Sequence, residues 1–315
     1  MLDDAAVRMA EQVLSDVENE LRKEAGVPPK YKPHSLRYNV VMDIGTKDLD
    51  RRRRGDIVGL PWPIEWPGLS RRVGPIEPAS LSIIAARPAI GKTIFGMQLA
   101  RSLAAKGKRV LFVSRELSVV RLMRRNWTSC GASMMNLRKG DPSERDITAI
   151  GAHASEAMDW ELYIDDRSKS VEEFRQEAEA LHPDIIIVDY LQRLAYDTEK
   201  EYAAITRIVN ELQDLTLETE IPVVCLSQLS RPQKGYEWKV PSMSDTRGSG
   251  AVEERAANLI ILHRFTEKNE GDDKSVCHTL SNNGWFVVSK CSDGESGEPI
   301  SVVFNGARMS VQEKL

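Results

Sequence analysis

The chain has 315 residues, 41% of them hydrophobic and 29% charged, with a net charge of −4 at pH 7. That length supports a sizeable core and excludes a small disulfide scaffold, while the composition excludes wholesale disorder, a collagen-like repeat and a multi-span membrane protein. An acidic total leaves nucleic acid open as a partner only through locally concentrated basic charge.

In chain order, Val7, Ala10, Leu14, Val17 and Leu21 alternate spacings of three and four, which draws one narrow apolar stripe along a helix. A stripe this short is not stable alone, so the first segment, 1–25, either packs on its own domain or docks on another subunit. Residues 26–58 read as a flexible linker, because Pro28, Pro29 and Pro33 break helices and the run Arg51-Arg52-Arg53-Arg54 repels itself. Trp62 and Trp66, set among Pro61, Pro63 and Pro67, read as a packed entry to the core of a domain spanning 59–315 rather than as a base-stacking surface.

From residue 80 short β-rich runs alternate with helix-length segments, the signature of a mostly parallel sheet covered by helices, an α/β fold. Strands are expected at Ser80–Ala86, Arg109–Ser114, Glu161–Asp165, Asp184–Asp189, Pro222–Ser227 and Asn258–His263. Continuous apolar runs such as Ile185-Ile186-Ile187-Val188 suit strands buried on both faces. Trp285–Lys290 and Pro299–Phe304 flank a Ser/Gly/Asp-rich turn and read as a C-terminal antiparallel hairpin closing the sheet edge. Cys130, Cys225, Cys277 and Cys291 form no C-x-x-C pair, which reads as reduced thiols in a cytoplasmic protein. The acidic start lacks the basic-then-apolar order of an export signal, and no apolar run has membrane-spanning length, so no membrane partner is expected.

The segment Ala86-Arg87-Pro88-Ala89-Ile90-Gly91-Lys92-Thr93 follows an expected strand and opens an expected helix, the context a phosphate-binding P-loop requires; its first position is Ala where the pattern has Gly. In such a loop, backbone N–H groups and the helix N-terminus hold the phosphates, Lys92 neutralises the β/γ oxygens and the Thr93 hydroxyl ligates Mg²⁺. ATP and Mg²⁺ are therefore the expected cofactors. Asp189, ending a buried strand, supplies the second metal-orienting carboxylate. Glu116, just past the strand ending at Ser114, has the position to orient or deprotonate an attacking water; otherwise it is a surface glutamate. Gln228 is either a sensor of the γ-phosphate or a loop amide capping the sheet edge.

With these residues in this order, the chain resembles the C-terminal motor domain of DnaB-type replicative DNA helicases, RecA-like P-loop ATPases, from Gly59 to Phe304. The stretches that carry the likeness are Ile83–Pro88 continuing into Gly91-Lys92-Thr93, then Ser114–Ser118, Leu162–Asp166, Val188–Gln192 and Leu226–Arg231. The resemblance implies a ring, usually a hexamer, that hydrolyses ATP between subunits and moves along single-stranded DNA, with a loader or other replication protein as a further partner. It implies Glu116 as the catalytic carboxylate, Gln228 as the sensor, and Ser244–Gly250 as a DNA-tracking loop in which Arg247, Gly248 and Gly250 meet the backbone. A glycine-rich loop with one arginine can approach phosphate without reading bases.

Three departures qualify that expectation. Gly248 stands where the family usually has Glu. At the C-terminal hairpin the family carries Lys-x-Arg, with both cations reaching a neighbouring nucleotide site; here the residues are Lys290-Cys291-Ser292, so the arginine finger, worth about 10³ to 10⁵ in turnover, is absent. Arg264 or Arg308 is a possible substitute. The residues ahead of the motor are too few for the family's helical collar, so primase recruitment by that route is not expected, and 1–25 looks like the family's linker helix. Two other readings stay open: a nucleotide-dependent assembly that holds DNA or a helicase with weak or no hydrolysis, and another RecA-like ATPase such as a filament former or plasmid replication helicase.

Overall fold

The apolar runs expected as buried strands lie side by side in one sheet in the computed structural model, which describes residues 38–54, 58–194, 201–230, 239–246, 249–270, 276–292, 294 and 296–314. The chain divides into two units, Met1–Asp56 and Ile57–Leu315. The stripe expected over residues 3–25 lies outside the described residues. In the first unit α1 (Tyr38–Arg53) is a helix where the sequence reads as linker, which corrects that expectation for these residues. The helix-breaking prolines all precede it. Its Asp43–Lys47 and Asp48–Arg52 pairs, at 2.8 and 2.7 Å, sit one turn apart, and Arg51, Arg52 and Arg53 occupy its last turn, where cations favour the helix dipole.

The second unit opens with α2 (Pro67–Val73), then β1 (Leu81–Ala86), α3 (Lys92–Ala104) and β2 (Val110–Ser114). It continues through α4 (Val119–Ser129), α5 (Met134–Lys139), α6 (Glu144–Glu156), β3 (Leu162–Asp165), α7 (Val171–Leu181), β4 (Ile185–Asp189) and α8 (Glu201–Thr219). It ends with β5 (Val223–Gln228), α9 (Ser249–Arg255), β6 (Asn258–Glu270), β7 (Val276–Cys291), β8 (Ile300–Asn305) and β9 (Ser310–Glu313). Among the described residues the nine strands follow the order β3-β2-β4-β5-β1-β6-β7-β8-β9. The first six pair parallel and the last three add antiparallel.

Alternation along the central strands fills two cores. Ile84, Phe112, Ile187 and Leu226 face α3 through Phe95, Leu99 and Leu103, whereas Ile83, Leu111, Ile186 and Cys225 face α7 and α8 through Phe174, Ile205, Val209 and Leu212. Both faces are thus sealed, which is why the strands read as unbroken apolar runs. Trp66 is fully buried and stacks on Phe95 with ring centroids 4.2 Å apart, so the Trp/Pro segment is a packed entry to the core.

The C-terminal hairpin departs from expectation. Residues 283–286 do pair antiparallel with 300–303, but β9 rather than β8 forms the sheet edge, after the Asn305-Gly306 turn. β6 is also longer than expected. Beyond Arg264 it leaves the sheet as a two-stranded ribbon with β7, from Thr266 opposite Leu280 to Glu270 opposite Val276.

Candidate functional site

The strand order brings the carboxyl ends of β1, β2, β4 and β5 to one edge. Ala86 is level with Gln228, and Asp189 is level with Ser114 and Leu226. Ligands of open α/β sheets bind at such carboxyl ends.

The loop Arg87-Pro88-Ala89-Ile90-Gly91 leaves β1 and turns directly into α3. The turn uses the left-handed region at Ala89 (φ 62°) and at Gly91 (φ 123°), a backbone that glycine adopts without a steric penalty. Among the described residues no side chain caps the N-terminus of α3, so its first N–H groups and the positive end of its dipole remain for an anion. Lys92 is buried, its ammonium 3.5 Å from the Ala86 carbonyl. Burial lowers its pKa, and the carboxylates of Asp189 and Glu116 oppose that shift.

Thr93 donates its hydroxyl to Asp189 Oδ2 at 2.7 Å, and both residues are buried. Among the described residues Asp189 Oδ1 is buried with no hydrogen-bond partner. Burial pushes the Asp189 carboxyl up to about 6; the Thr93 hydrogen bond and Lys92 act against this, and Glu116 adds to it. An orphaned carboxylate oxygen costs free energy unless something fills its coordination. A hydroxyl and a carboxylate oxygen beneath a phosphate loop are the donor set of a magnesium ion that keeps waters and phosphate oxygens as its other ligands. The residues therefore fit that ion.

Glu116 is exposed, two residues past Ser114, in a turn held by Ser114 Oγ donating to the Leu117 carbonyl at 2.7 Å. Next to it, Arg115 N–H donates to the Asp189 carbonyl at 2.5 Å, so the turn is tied to β4. Gln228 is half-buried. Its backbone is clamped by Gln192, which accepts from Gln228 N–H at 2.9 Å and donates to the Gln228 carbonyl at 2.9 Å and to Ser227 Oγ at 3.0 Å. Sequence reasoning assigned Gln192 no role, although it lies in the Val188–Gln192 stretch. It also missed Phe304 as a site residue. The Phe304 ring is 3.5 Å from where a Cβ on Gly91 would stand, and the Arg264 guanidinium lies over that ring, 5.2 Å from its centroid.

The predicted DNA loop is anchored beside this edge. Leu229, one residue past Gln228, bridges to Thr246, and Ser230 N–H donates to the Asp245 carbonyl at 3.0 Å. Arg247 and Gly248 lie outside the described residues; Gly250 is exposed in the first turn of α9.

Lys290 does not join this group. It is level with Leu259 at the other end of β6, and its ammonium donates to the carbonyls of Glu253 (2.5 Å) and Glu254 (3.4 Å) at the end of α9. Ser292 sits beside it, with its N–H donating to the Ala257 carbonyl at 2.9 Å. Of the two substitutes for the finger, Arg264 lies at the P-loop edge, where it donates to the Ser281 carbonyl at 2.8 Å, and Arg308 lies in the turn after β8.

This fold and this edge define a RecA-like P-loop ATPase core. Residues 64–313 match the family described as DnaB-like helicase C terminal domain, and the chain belongs to that family. It is 33% identical over 248 residues to the replicative DNA helicase DnaB of Treponema pallidum (76% of this chain, 55% of the relative). It is 31% identical over 282 residues to that of Geobacillus stearothermophilus (84% of this chain, 60% of the relative). The chain thus spans between half and two thirds of these relatives' lengths. Its fold is similar to a solved ATPase domain, with a TM-score of 0.73 and 22% identity, covering 90% of this chain and all of that one. It is also similar to a DnaB-like replicative helicase studied with primase, with a TM-score of 0.70 and 22% identity, covering 98% of this chain and 76% of that one. Among the described residues no helix is long and apolar enough to cross a membrane.

Proposed function

We propose that the chain is the motor of an ATP-driven helicase or translocase that acts on single-stranded DNA in replication, assembled as a ring of identical chains. The observation that carries this reading is the buried Thr93–Asp189 pair with its orphaned Oδ1 under the uncapped start of α3. Lys92 and the backbone of residues 87–91 hold the triphosphate, and Thr93 and Asp189 hold magnesium. A magnesium ion held by Thr93 and Asp189 would supply neutralisation of the phosphate charge. Glu116, exposed beside Asp189, orients water in line with the γ-phosphate and accepts its proton. Gln228 reads the γ-phosphate, and its movement passes through the Leu229–Thr246 bridge to Arg247, Gly248 and Gly250 on the DNA. Gln192 positions Gln228 by holding both of its backbone polar groups.

A second reading, a nucleotide-dependent assembly with slow hydrolysis, draws on the engagement of the Lys290 ammonium by α9. Hydrolysis assays with and without single-stranded DNA separate the two. The motor reading predicts DNA-stimulated turnover that Lys92→Ala reduces to the no-enzyme blank. Turnover by Lys92→Ala equal to wild type would remove the mechanism.

A further inference from the structure

Gly294, Gly297 and Glu298, which follow the Ser292 that stands in place of the expected arginine, pack against a different arginine. Arg72 closes the last turn of α2, and its Nη1 donates to the Glu298 carbonyl across 226 residues of sequence. A Cβ at Gly294 would collide with the Arg72 carbonyl oxygen, and one at Gly297 would stand 3.5 Å from the guanidinium carbon. Cys291 Sγ meets the Val73 carbonyl at 3.8 Å. Glycine is therefore needed at 294, where a Cβ would strike the Arg72 backbone, while Gly297 packs against the guanidinium at ordinary contact distance.

The mount is rigid. Glu313 caps the start of α2, accepting from Gly68 and Leu69 N–H at 2.6 and 2.7 Å, and the Trp66 indole donates to the Val311 carbonyl at 2.8 Å. A guanidinium carries five N–H donors, and Arg72 makes one hydrogen bond among the described residues. Lys290 nearby is a weaker candidate, since two carbonyls already hold its ammonium and it lacks the planar fork that matches phosphate.

Among the described residues Arg72 bonds Glu298 and not its own chain's P-loop. Cys291 is level with Asn258 and Ser82, four strand positions and about 13 Å behind Ala86. A head-to-tail ring brings different surfaces of neighbouring copies together. We propose that Arg72 of one copy completes the nucleotide site of the next, supplying the guanidinium that Ser292 cannot. This rests on the motor reading and names the residue that reading lacks.

The test uses Arg72→Ala, Arg72→Lys and Lys92→Ala in the full chain. Arg72→Ala is expected to lower turnover by about 10³-fold or more, while binding of a fluorescent ATP analogue and assembly by light scattering persist. Arg72→Lys restores little, because a point charge does not replace the fork. Mixing Arg72→Ala with Lys92→Ala in equal amounts is expected to recover turnover, since about a quarter of interfaces then pair an intact Lys92 with an intact Arg72 of the neighbour. Wild-type turnover by Arg72→Ala overturns the proposal. So does an impaired Arg72→Ala that the mixture fails to rescue, which would place its effect inside its own chain. If wild-type chain hydrolyses nothing at any concentration, the motor reading itself fails, a result distinct from either.

Discussion

Asp189 is a carboxylate kept buried at a cost. Its folded pKa of about 6 exceeds the ordinary value of about 3.9, so between those values the folded state binds more protons than the unfolded chain. Its contribution is therefore favourable at low pH and is lost as pH rises through 6, leaving a burden of up to about 3 kcal/mol at neutral pH. Asp189→Asn should raise the melting temperature of nucleotide-free protein, and by more at pH 7.5 than at pH 5, while abolishing hydrolysis. His263, held down to about 4 by burial and by Arg87, loses stability as pH falls, but it is common to both proteins and cancels in the comparison. An equal difference at the two pH values would contradict the assignment. The placement of Lys92, Thr93, Asp189 and Glu116 at one strand edge was legible because local context marks them: a glycine turn between strand and helix, or a carboxylate just past a buried strand. Gln192, Phe304 and Arg72 were not, because their partners are 35 to 226 residues away and no spacing encodes such contacts.

At the scale of elements, the core strands were readable because a strand sealed on both faces writes itself as an apolar run, and the six expected ones begin within one residue of the observed positions. α1 was not, since its charged residues read as a solvated run until their spacing of four is matched to a helix turn. β9 was missed because its role depends on tertiary partners: Val311 N–H donates to the buried Gln98 side chain at 2.9 Å, and Glu313 caps α2. Two charge-assisted bonds to helix N–H groups make that cap a long-range staple. Glu313→Ala should destabilise the fold by about 1–3 kcal/mol, lowering the melting temperature by several degrees, while Glu313→Gln keeps an acceptor and loses less. Thermal melts of the three proteins check this, and identical melting temperatures would show that the cap contributes nothing.

For the unit Ile57–Leu315 taken whole, the chemistry is split between two ends. The P-loop, Asp189, Glu116 and Gln228 occupy the carboxyl edge of the parallel strands, while Cys291, between Lys290 and Ser292, is level with Ser82, about 13 Å behind it. The proposed reading gives a single chain the nucleotide but not the cation that stabilises the transition state, and so assigns turnover to an interface between copies. On the proposed reading the DNA loop is tethered at Thr246 to Leu229, one residue from Gln228, and that reading makes hydrolysis and DNA binding parts of one transition. The most direct measurement is the specific rate of ATP hydrolysis across a range of protein concentrations, with and without single-stranded DNA. The account predicts a rate per chain that rises with concentration to a plateau and is stimulated by DNA. A rate per chain independent of concentration and of DNA would contradict a site shared between copies.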